Sequence, residues 1–162
     1  MLTAQEEEYQ GLNYTSGRVH SEREFGPYAF VNINALVPKA DCLWPAIWML
    51  PTDAQSKYGT WAACGEIDIM ETVCSAQSDE AAYATLQFGG PWPKNVAYPT
   101  YDQNAYPVSV DWTKPHNFGV EWQPDSIKFW LDAEIIGGQV VGTLLNTIAS
   151  DVWFSMDAEG ER

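Results

Sequence analysis

Three carboxylates stand within six consecutive positions of the stretch CGEIDIMETV, residues 64–73. They are Glu66, Asp68 and Glu71, and the residues between them are isoleucines and a methionine. Burying bare carboxylates in such an apolar segment is costly unless they have partners. A proton-carrying acid beside an ionised carboxylate is, however, the pair of groups that glycoside hydrolysis needs. The spacing of these acids therefore decides whether they can act together.

That spacing fits a strand better than a helix. In a helix that turns about 100° per residue, Glu66 and Asp68 would point about 200° apart, and Glu71 would lie about 140° from Glu66. In a strand, side chains alternate between faces, so Glu66 and Asp68 would share a face and Glu71 would have the wrong parity. One extra residue, a β-bulge, restores the alternation. We therefore predict that the three acids face one way, with an irregular step around Ile69–Met70.

Carboxylates that share one face repel one another, so at least one of them should hold a raised pKa. The Cα atoms of Glu66 and Glu71 would be roughly 13 Å apart, at about four strand steps of ~3.3 Å. Retaining glycosidases need carboxyl groups only ~5 Å apart, a gap that two long side chains leaning inward on a concave sheet would close. Asp68 would hydrogen-bond one of them and hold its charge state. Spacing alone leaves two alternatives open: a site for a cation such as calcium, and a solvated edge.

Composition and charge exclude several classes of partner. The chain has 162 residues, 46% of them hydrophobic and 19% charged, as expected for one globular domain. Its net charge of −14 argues against nucleic acids and anionic membrane surfaces, because both are bound by cationic side chains. No run of about 18 apolar residues is present. Eight Trp and eight Tyr supply flat surfaces on which sugars stack, although core packing accounts for several of them.

Strand-like segments separated by Pro, Gly, Asn and Asp dominate the chain. Strands are predicted over residues 17–24, 28–37, 43–50, 66–73, 82–88, 116–123 and 126–132. The continuous apolar run 43–50 predicts a strand buried on both sides. A short helix is predicted over 3–10. Because there are neither repeats nor a linker, we predict a single all-β domain over 1–162, an antiparallel sandwich or barrel.

The cysteines do not indicate a metal site. Cys42, Cys64 and Cys74 form no C-x-x-C pair, and their odd number leaves at least one thiol unpaired. A disulfide between Cys64 and Cys74 and free buried thiols both remain open.

With these features in view, the motif GEIDIMET resembles the active-site signature of glycoside hydrolase family 16, in its laminarinase-like (endo-1,3-β-glucanase) form. Other segments resemble the same family in the expected order. They are YTSGRV (14–19), LWPAIWMLP (43–51), YGTWAACGEIDIMET (58–72), TLQFGGPWP (85–93) and HNFGVEW (116–122). The resemblance is clearest over residues 14–132, and the acidic motif together with LWPAIWMLP is its most specific part.

The resemblance implies a β-sandwich of the jelly-roll type, with a concave sheet that forms the substrate cleft. It also implies retaining hydrolysis of internal β-1,3 or mixed β-1,3-1,4 glucan bonds. Glu66 would be the nucleophile, Asp68 its helper and Glu71 the general acid/base. This mechanism expects Glu71 to be protonated and Glu66 to be ionised in the free enzyme.

Five further residues match positions associated with the sugar cleft of the family. Trp61, Trp44 and Trp48 match its aromatic positions, although core packing remains open for the last two, which share a strand face. Arg18 matches a cleft arginine of some relatives. Gln87 stands where the family often has a histidine near the acid/base; it can hydrogen-bond but carries no charge.

The remaining implications concern partners and alternatives. The resemblance implies a polysaccharide substrate, a β-glucan, for a monomeric, secreted and therefore extracellular protein. It requires no cofactor; relatives often bind a structural calcium, for which we assign no ligands. Compared with the family, the chain is expected to be a partial domain, short at both ends. Two other functions stay open: a non-catalytic β-glucan-binding module or inactive fragment, and a transglycosylase on the same scaffold.

Overall fold

The computed structural model of the protein describes residues 1–38, 43–52, 59–72, 83–98 and 111–149. Within these ranges it contains ten strands and no helix, which confirms the all-β prediction. The strands are β1 (Gln5–Tyr9), β2 (Leu12–Thr15), β3 (Phe30–Ala35), β4 (Ala46–Met49), β5 (Glu66–Glu71), β6 (Tyr83–Phe88), β7 (Val96–Tyr98), β8 (His116–Trp122), β9 (Ser126–Ile136) and β10 (Gln139–Ala149). None of the described segments is a helix that could cross a membrane.

Two four-stranded antiparallel sheets form the body of the fold, in the orders β4-β5-β6-β7 and β10-β9-β8-β3. Apolar side chains from both sheets make one buried cluster, so the sheets pack face to face as a β-sandwich. Its largest fully buried members include Ile69, Met70, Leu86, Phe118 and Phe129. Burying each such side chain contributes about 1.5–3 kcal/mol. The predicted sandwich is therefore confirmed, and its core backs the strand that carries the acids.

The helix predicted over 3–10 is wrong. This segment forms β1, which pairs with β2 in a separate two-stranded hairpin, with Gln5 opposite Thr15. Gln10 and Gly11 form the turn with positive φ values of 50° and 80°. The residues of β1 are all exposed, so no buried apolar stripe supports a helix here, and the turn decides the local structure over the helix propensity of Glu and Ala.

Other strand boundaries also differ from the prediction. Residues 17–24 form no strand and are exposed throughout, because their weak alternation has no apolar face to bury. β2, β7 and β10 were not predicted, and β9 continues beyond residue 132 to Ile136. The turn between β9 and β10 is Gly137-Gly138, with φ values of 60° and 80°. A Gly-Gly pair between two apolar runs is a hairpin signal that could have revealed β10.

The apolar run 43–50 is not buried on both sides, contrary to the prediction. In β4, Ile47 and Met49 pack against the core, whereas Trp48 lies on the opposite face. Trp44, just before the strand, is 61% exposed. This outward face is apolar because it forms part of the depression that holds the acids. Of the cysteines, Cys64 is a buried free thiol, and Cys42 and Cys74 lie outside the described residues.

A histidine on β8 makes the stability of the second sheet depend on pH. The His116 Nδ1 lies 3.0 Å from Asp132 Oδ2, and Nε2 lies 3.0 Å from the Asp111 carbonyl oxygen. Both oxygens are acceptors, so an imidazole that is protonated on both nitrogens makes both hydrogen bonds, which favours the charged form. Burial lowers the pKa of His116, but these two hydrogen bonds and the nearby negative charges outweigh it and raise the pKa above its usual value.

The stabilisation from this charged histidine is fully present below the unfolded-state pKa of about 6.5 and is lost as pH rises through the higher folded-state pKa. We therefore expect His116→Asn to lower the melting temperature by several degrees at about pH 5.5 and by clearly less at about pH 8.5. Melting curves at both pH values check this. His20→Asn, at the chain's other histidine, which is exposed, is the matched control. An equal loss at both pH values would contradict a role for the charged form.

Candidate active site

The three acids lie on β5, and a bulge in that strand sets their direction. In the register with β4, Met70 pairs with Ile47 and Asp68 pairs with Trp48, which leaves Ile69 as an extra residue. The register with β6 shifts over the same interval. Both Ile69 and Met70 are only 1% exposed, so the extra residue enters the core. The irregular step predicted around Ile69–Met70 is confirmed.

Because of this bulge, the side chains of the acids at both ends of β5 point to the same face of the sheet. Glu66, Asp68 and Glu71 line one depression together with Trp44, Ala46 and Trp48. The residues between the acids point the other way and pack in the core. The predicted one-sided arrangement is thus present, and core packing is not the role of either tryptophan.

Each glutamate accepts a hydrogen bond from an indole. Trp44 Nε1 donates to Glu71 Oε1 at 2.9 Å, and Trp61 Nε1 donates to Glu66 Oε2. Glu71 is 7% exposed and Glu66 is half-buried. Hydrogen bonds of this kind offset the cost of removing a carboxylate from water. The aromatic residues therefore orient the acids as well as lining their surroundings.

The central aspartate carries the strongest electrostatic perturbation. Asp68 is 3% exposed, and burial together with the negative charges of Glu71 and Glu66 raises its pKa to about 8. At neutral pH it is protonated and donates to the Glu66 carboxylate. Burial and the charge of Glu71 raise the pKa of Glu66 above its usual value, although the hydrogen bonds from Trp61 and Asp68 act in the opposite direction and favour the ionised form.

The raised pKa expected for at least one of the three acids is found at Asp68. The sequence-based mechanism assigned the proton of the free enzyme to Glu71. That assignment stays a prediction; Asp68 has the raised pKa because it is the most buried of the three acids and lies between Glu66 and Glu71. The expected helper role of Asp68, hydrogen-bonding one glutamate and holding its charge state, matches the contact with Glu66.

Arg18 and Gln87 both lie at the site, as the sequence predicted. The Arg18 guanidinium stacks over the Trp48 ring, 4.4 Å from its centroid, and its positive charge acts on Glu66 to lower the pKa of that carboxyl. Gln87 on β6 is the register partner of Glu66. Its side chain hydrogen-bonds Asp68, so the amide takes part in the polar network without adding a charge.

Two residues near the site were missed by the sequence reasoning. Asn95, just before β7, donates from Nδ2 to Gln87 Oε1 at 2.8 Å. Trp92 is 67% exposed, and its backbone N–H donates to the Trp61 carbonyl oxygen at 3.3 Å. Both lie in the loop GGPWPKN after β6. Its Gly and Pro residues indicate a turn, but nothing in the sequence indicates which strand residue the turn approaches.

A metal site does not fit the residues that the structure describes. In those ranges there is no group of three or more His, Cys, Asp or Glu side chains arranged to hold a metal ion. The cation alternative for the three acids therefore has no support, and a structural calcium stays a prediction without ligands. What the arrangement offers is two glutamates on one face, each with its own donor, and a protonated aspartate between them. That is the equipment of two-carboxylate glycoside chemistry.

Comparisons with known proteins point to the same chemistry. The sequence model of the glycosyl hydrolases family 16 matches residues 2–141. The chain is 33% identical over 147 residues to the glucan endo-1,3-beta-glucosidase A1 of Niallia circulans, covering 90% of this chain and 19% of that protein. It is 34% identical over 129 residues to the beta-1,3-glucan-binding protein of Penaeus monodon, covering 73% of this chain and 33% of that protein.

A similar fold is found in solved structures. The X-ray structure of the laminarinase from Rhodothermus marinus matches with a TM-score of 0.70 and 26% sequence identity. The match covers 93% of this chain and 55% of that one. The chain thus spans about half the length of this enzyme and less than half of the two curated relatives. The jelly-roll prediction is confirmed by this likeness.

Proposed function

The chain belongs to glycosyl hydrolase family 16, and we propose that it is an endo-acting β-glucanase that cleaves internal β-1,3 bonds, or mixed β-1,3-1,4 bonds, with retention of configuration. One observation carries the proposal: the bulge in β5 brings Glu66 and Glu71 to one face, where each accepts a hydrogen bond from a tryptophan. A retaining glycosidase needs two carboxyl groups on one face with separate roles.

In the proposed mechanism Glu66 attacks the anomeric carbon of the sugar and forms a glycosyl ester, while Glu71 gives a proton to the departing oxygen. Glu71 then takes a proton from water, which attacks the same carbon and frees Glu66. Asp68 keeps Glu66 oriented by donating a hydrogen bond to it. The proton that Glu71 takes from water in the second step restores it for the next cycle.

The surroundings of the acids suit a neutral polysaccharide. Trp61 is 42% exposed and Trp44 61% exposed, so aromatic surface remains open to sugar rings beside the carboxylates. The net charge of −14 favours an uncharged substrate over an anionic one. We further propose that the protein acts as a monomer outside the cell, where a polymer is reached without transport.

The alternative function is that of a non-catalytic β-glucan-binding module. The similarity to the beta-1,3-glucan-binding protein of Penaeus monodon supports this alternative. A module that only binds has no use for Asp68 and Glu71 at 3% and 7% exposure, since burying carboxyl groups costs free energy. This favours catalysis. A transglycosylase shares these acids and differs in the acceptor that attacks the ester.

The test is the release of reducing ends from laminarin, mixed-linkage β-glucan and an algal galactan. We expect laminarin or the mixed-linkage glucan to yield short oligosaccharides early in the reaction, as endo cleavage requires. Binding of laminarin without any release would favour the binding module. Products longer than the starting oligosaccharide would favour a transglycosylase.

Asp68 should set the alkaline limit of the activity. When it loses its proton above about pH 8, Glu66 loses a donor and gains a negative charge beside it. We therefore expect kcat/KM of the wild type to fall through this range. Asp68→Asn stays neutral and can still donate, so its kcat/KM should stay level there, at some cost in rate at the optimum. A pH profile of both proteins checks this, and identical alkaline limbs would contradict it.

A further inference from the structure

The side-chain amide of Gln87 is held in one orientation, because its oxygen accepts a hydrogen bond from Asn95. Asn95 Nδ2 donates to Gln87 Oε1 at 2.8 Å in a partly buried contact. A glutamine amide has an oxygen that accepts and a nitrogen that donates. With the oxygen turned towards Asn95, the nitrogen is the atom left to meet Asp68, which accepts a hydrogen bond from Gln87.

Asn95 is itself held by the loop between β6 and β7. Gly89 begins the loop with a φ of 86°, a backbone conformation that other residues rarely adopt. The Lys94 N–H donates to the Pro91 carbonyl oxygen at 2.8 Å, and the Trp92 N–H donates to the Trp61 carbonyl oxygen at 3.3 Å. The loop is thus closed on itself and tied to the segment that precedes β5, so Asn95 approaches Gln87 from a defined position.

The orientation of Gln87 decides which oxygen of Asp68 carries the proton. A protonated carboxyl group has one oxygen that donates and one that accepts. The carbonyl oxygen of a carboxylic acid is the better acceptor, so a donor nitrogen of Gln87 favours the proton on the other oxygen of Asp68, from which Asp68 donates to Glu66. Were the amide turned round, its oxygen would compete with Glu66 for that proton.

We propose that Asn95 is a positioning residue: by holding the Gln87 amide with its nitrogen towards Asp68, it directs the Asp68 proton to the nucleophile Glu66. The inference rests on the proposed function only for the role of Glu66. The chain of hydrogen bonds Asn95–Gln87–Asp68–Glu66 does not depend on that function, and it can be tested by titration without an activity assay.

Among the residues that the structure describes, few charged groups face Asp68 besides those of the site. On β5 they are Glu66 and Glu71, and both raise its pKa. From β4 the depression is lined by Ala46 and Trp48, which do not titrate. From β6 the register partner of Asp68 is Thr85. Arg18 acts on the neighbouring Glu66. A change at Asn95 should therefore reach Asp68 through Gln87.

The variant that tests this is Asn95→Asp. The introduced carboxylate can only accept, so the Gln87 nitrogen should turn to it and present the oxygen to Asp68. That oxygen stabilises the protonated form of Asp68 and repels the ionised form. We expect the titration midpoint of Asp68 to rise by roughly one pH unit, the worth of about one hydrogen bond. Glu66 loses its donor, so the acidic limb of kcat/KM should also move to higher pH.

Added charge alone would also raise the midpoint, so the same substitution is made in a Gln87→Met background. There the amide is absent, and Asn95→Asp should produce a clearly smaller shift. Asn34→Asp is a further control: Asn34 on β3 also donates to a side-chain amide oxygen, that of Asn117 at 2.8 Å, but in the other sheet. It should leave the Asp68 midpoint unchanged.

The midpoint is read by carbon-13 NMR of the aspartate carboxyl groups, with Asp68→Asn to assign the signal. A larger shift with Gln87 present than with Met supports the proposal. Equal shifts in the two backgrounds, or an equal shift with Asn34→Asp, would overturn it. If the wild type hydrolyses no β-glucan, the proposed function fails, and the titration still decides the role of Asn95.

Discussion

Replacing Glu66 with Gln should lower kcat on β-glucan by more than about 10³-fold. The amide cannot attack the anomeric carbon, so no glycosyl ester forms. The fold should survive, because the substitution keeps the size of the side chain at a half-buried position. Substrate binding should also survive, since the aromatic surface beside the acids is unchanged. Initial rates of reducing-end release, with binding to laminarin measured in parallel, check this expectation.

The matched control is Glu121→Gln, the same substitution on β8, where Glu121 pairs with Lys128 at 3.7 Å. It should keep near-wild-type kcat, because this pair lies in the other sheet. If the Glu66 variant kept activity within a few fold of the wild type, its assignment as the nucleophile would be wrong. If both variants lost activity equally, the loss would reflect folding rather than chemistry.

Glu71→Ala should behave differently from the Glu66 variant. On polysaccharide we expect a loss of about 10²–10⁴-fold, the usual contribution of general acid–base catalysis. On an activated aryl β-glucoside oligomer the first step should remain fast, because the leaving group needs no proton. The glycosyl ester should then accumulate, since no base activates water. Assays on the two substrates, with burst kinetics on the aryl glycoside, measure this separation.

Rescue by azide distinguishes the nucleophile from the acid/base among the two glutamates. A small anion needs no base, so it should restore turnover of Glu71→Ala on the aryl substrate and give a glycosyl azide of retained configuration. It should give no product of retained configuration with Glu66→Gln. The opposite pattern, with Glu66→Gln rescued with retention and Glu71→Ala inert, would show that the two roles are reversed.

The direction of the acids could be predicted from the sequence, because it follows from parity. Two acids two positions apart share a strand face, and a third at an odd spacing requires a bulge; the structure has that bulge at Ile69. The prediction that residues 43–50 are buried on both sides was wrong, because the sequence pattern does not show what each face of the strand contacts. Apolar composition cannot distinguish a core face from an aromatic face that lines a site, and Trp44 and Trp48 lie on the latter.

Which of the three acids has the raised pKa, and the contact from Asn95, could not be predicted. The first depends on how deeply each carboxyl group is buried, and burial is set by both neighbouring strands rather than by spacing along one. The second depends on where a loop returns to the sheet. The helix predicted over 3–10 shows the same limit, since pairing with β2 overrides the propensity of the segment.

Trapping the covalent intermediate tests the role of Glu66 most directly. A β-glucosyl oligomer with fluorine at C2 and a good leaving group forms the ester but hydrolyses it slowly, so an adduct should accumulate. Intact mass and peptide mapping of the wild-type chain would locate it. If Glu66 is the nucleophile, the wild type should carry one sugar per chain, attached to Glu66, and Glu66→Gln should carry none. Attachment to Glu71, or hydrolysis with inversion and no adduct, would contradict that role.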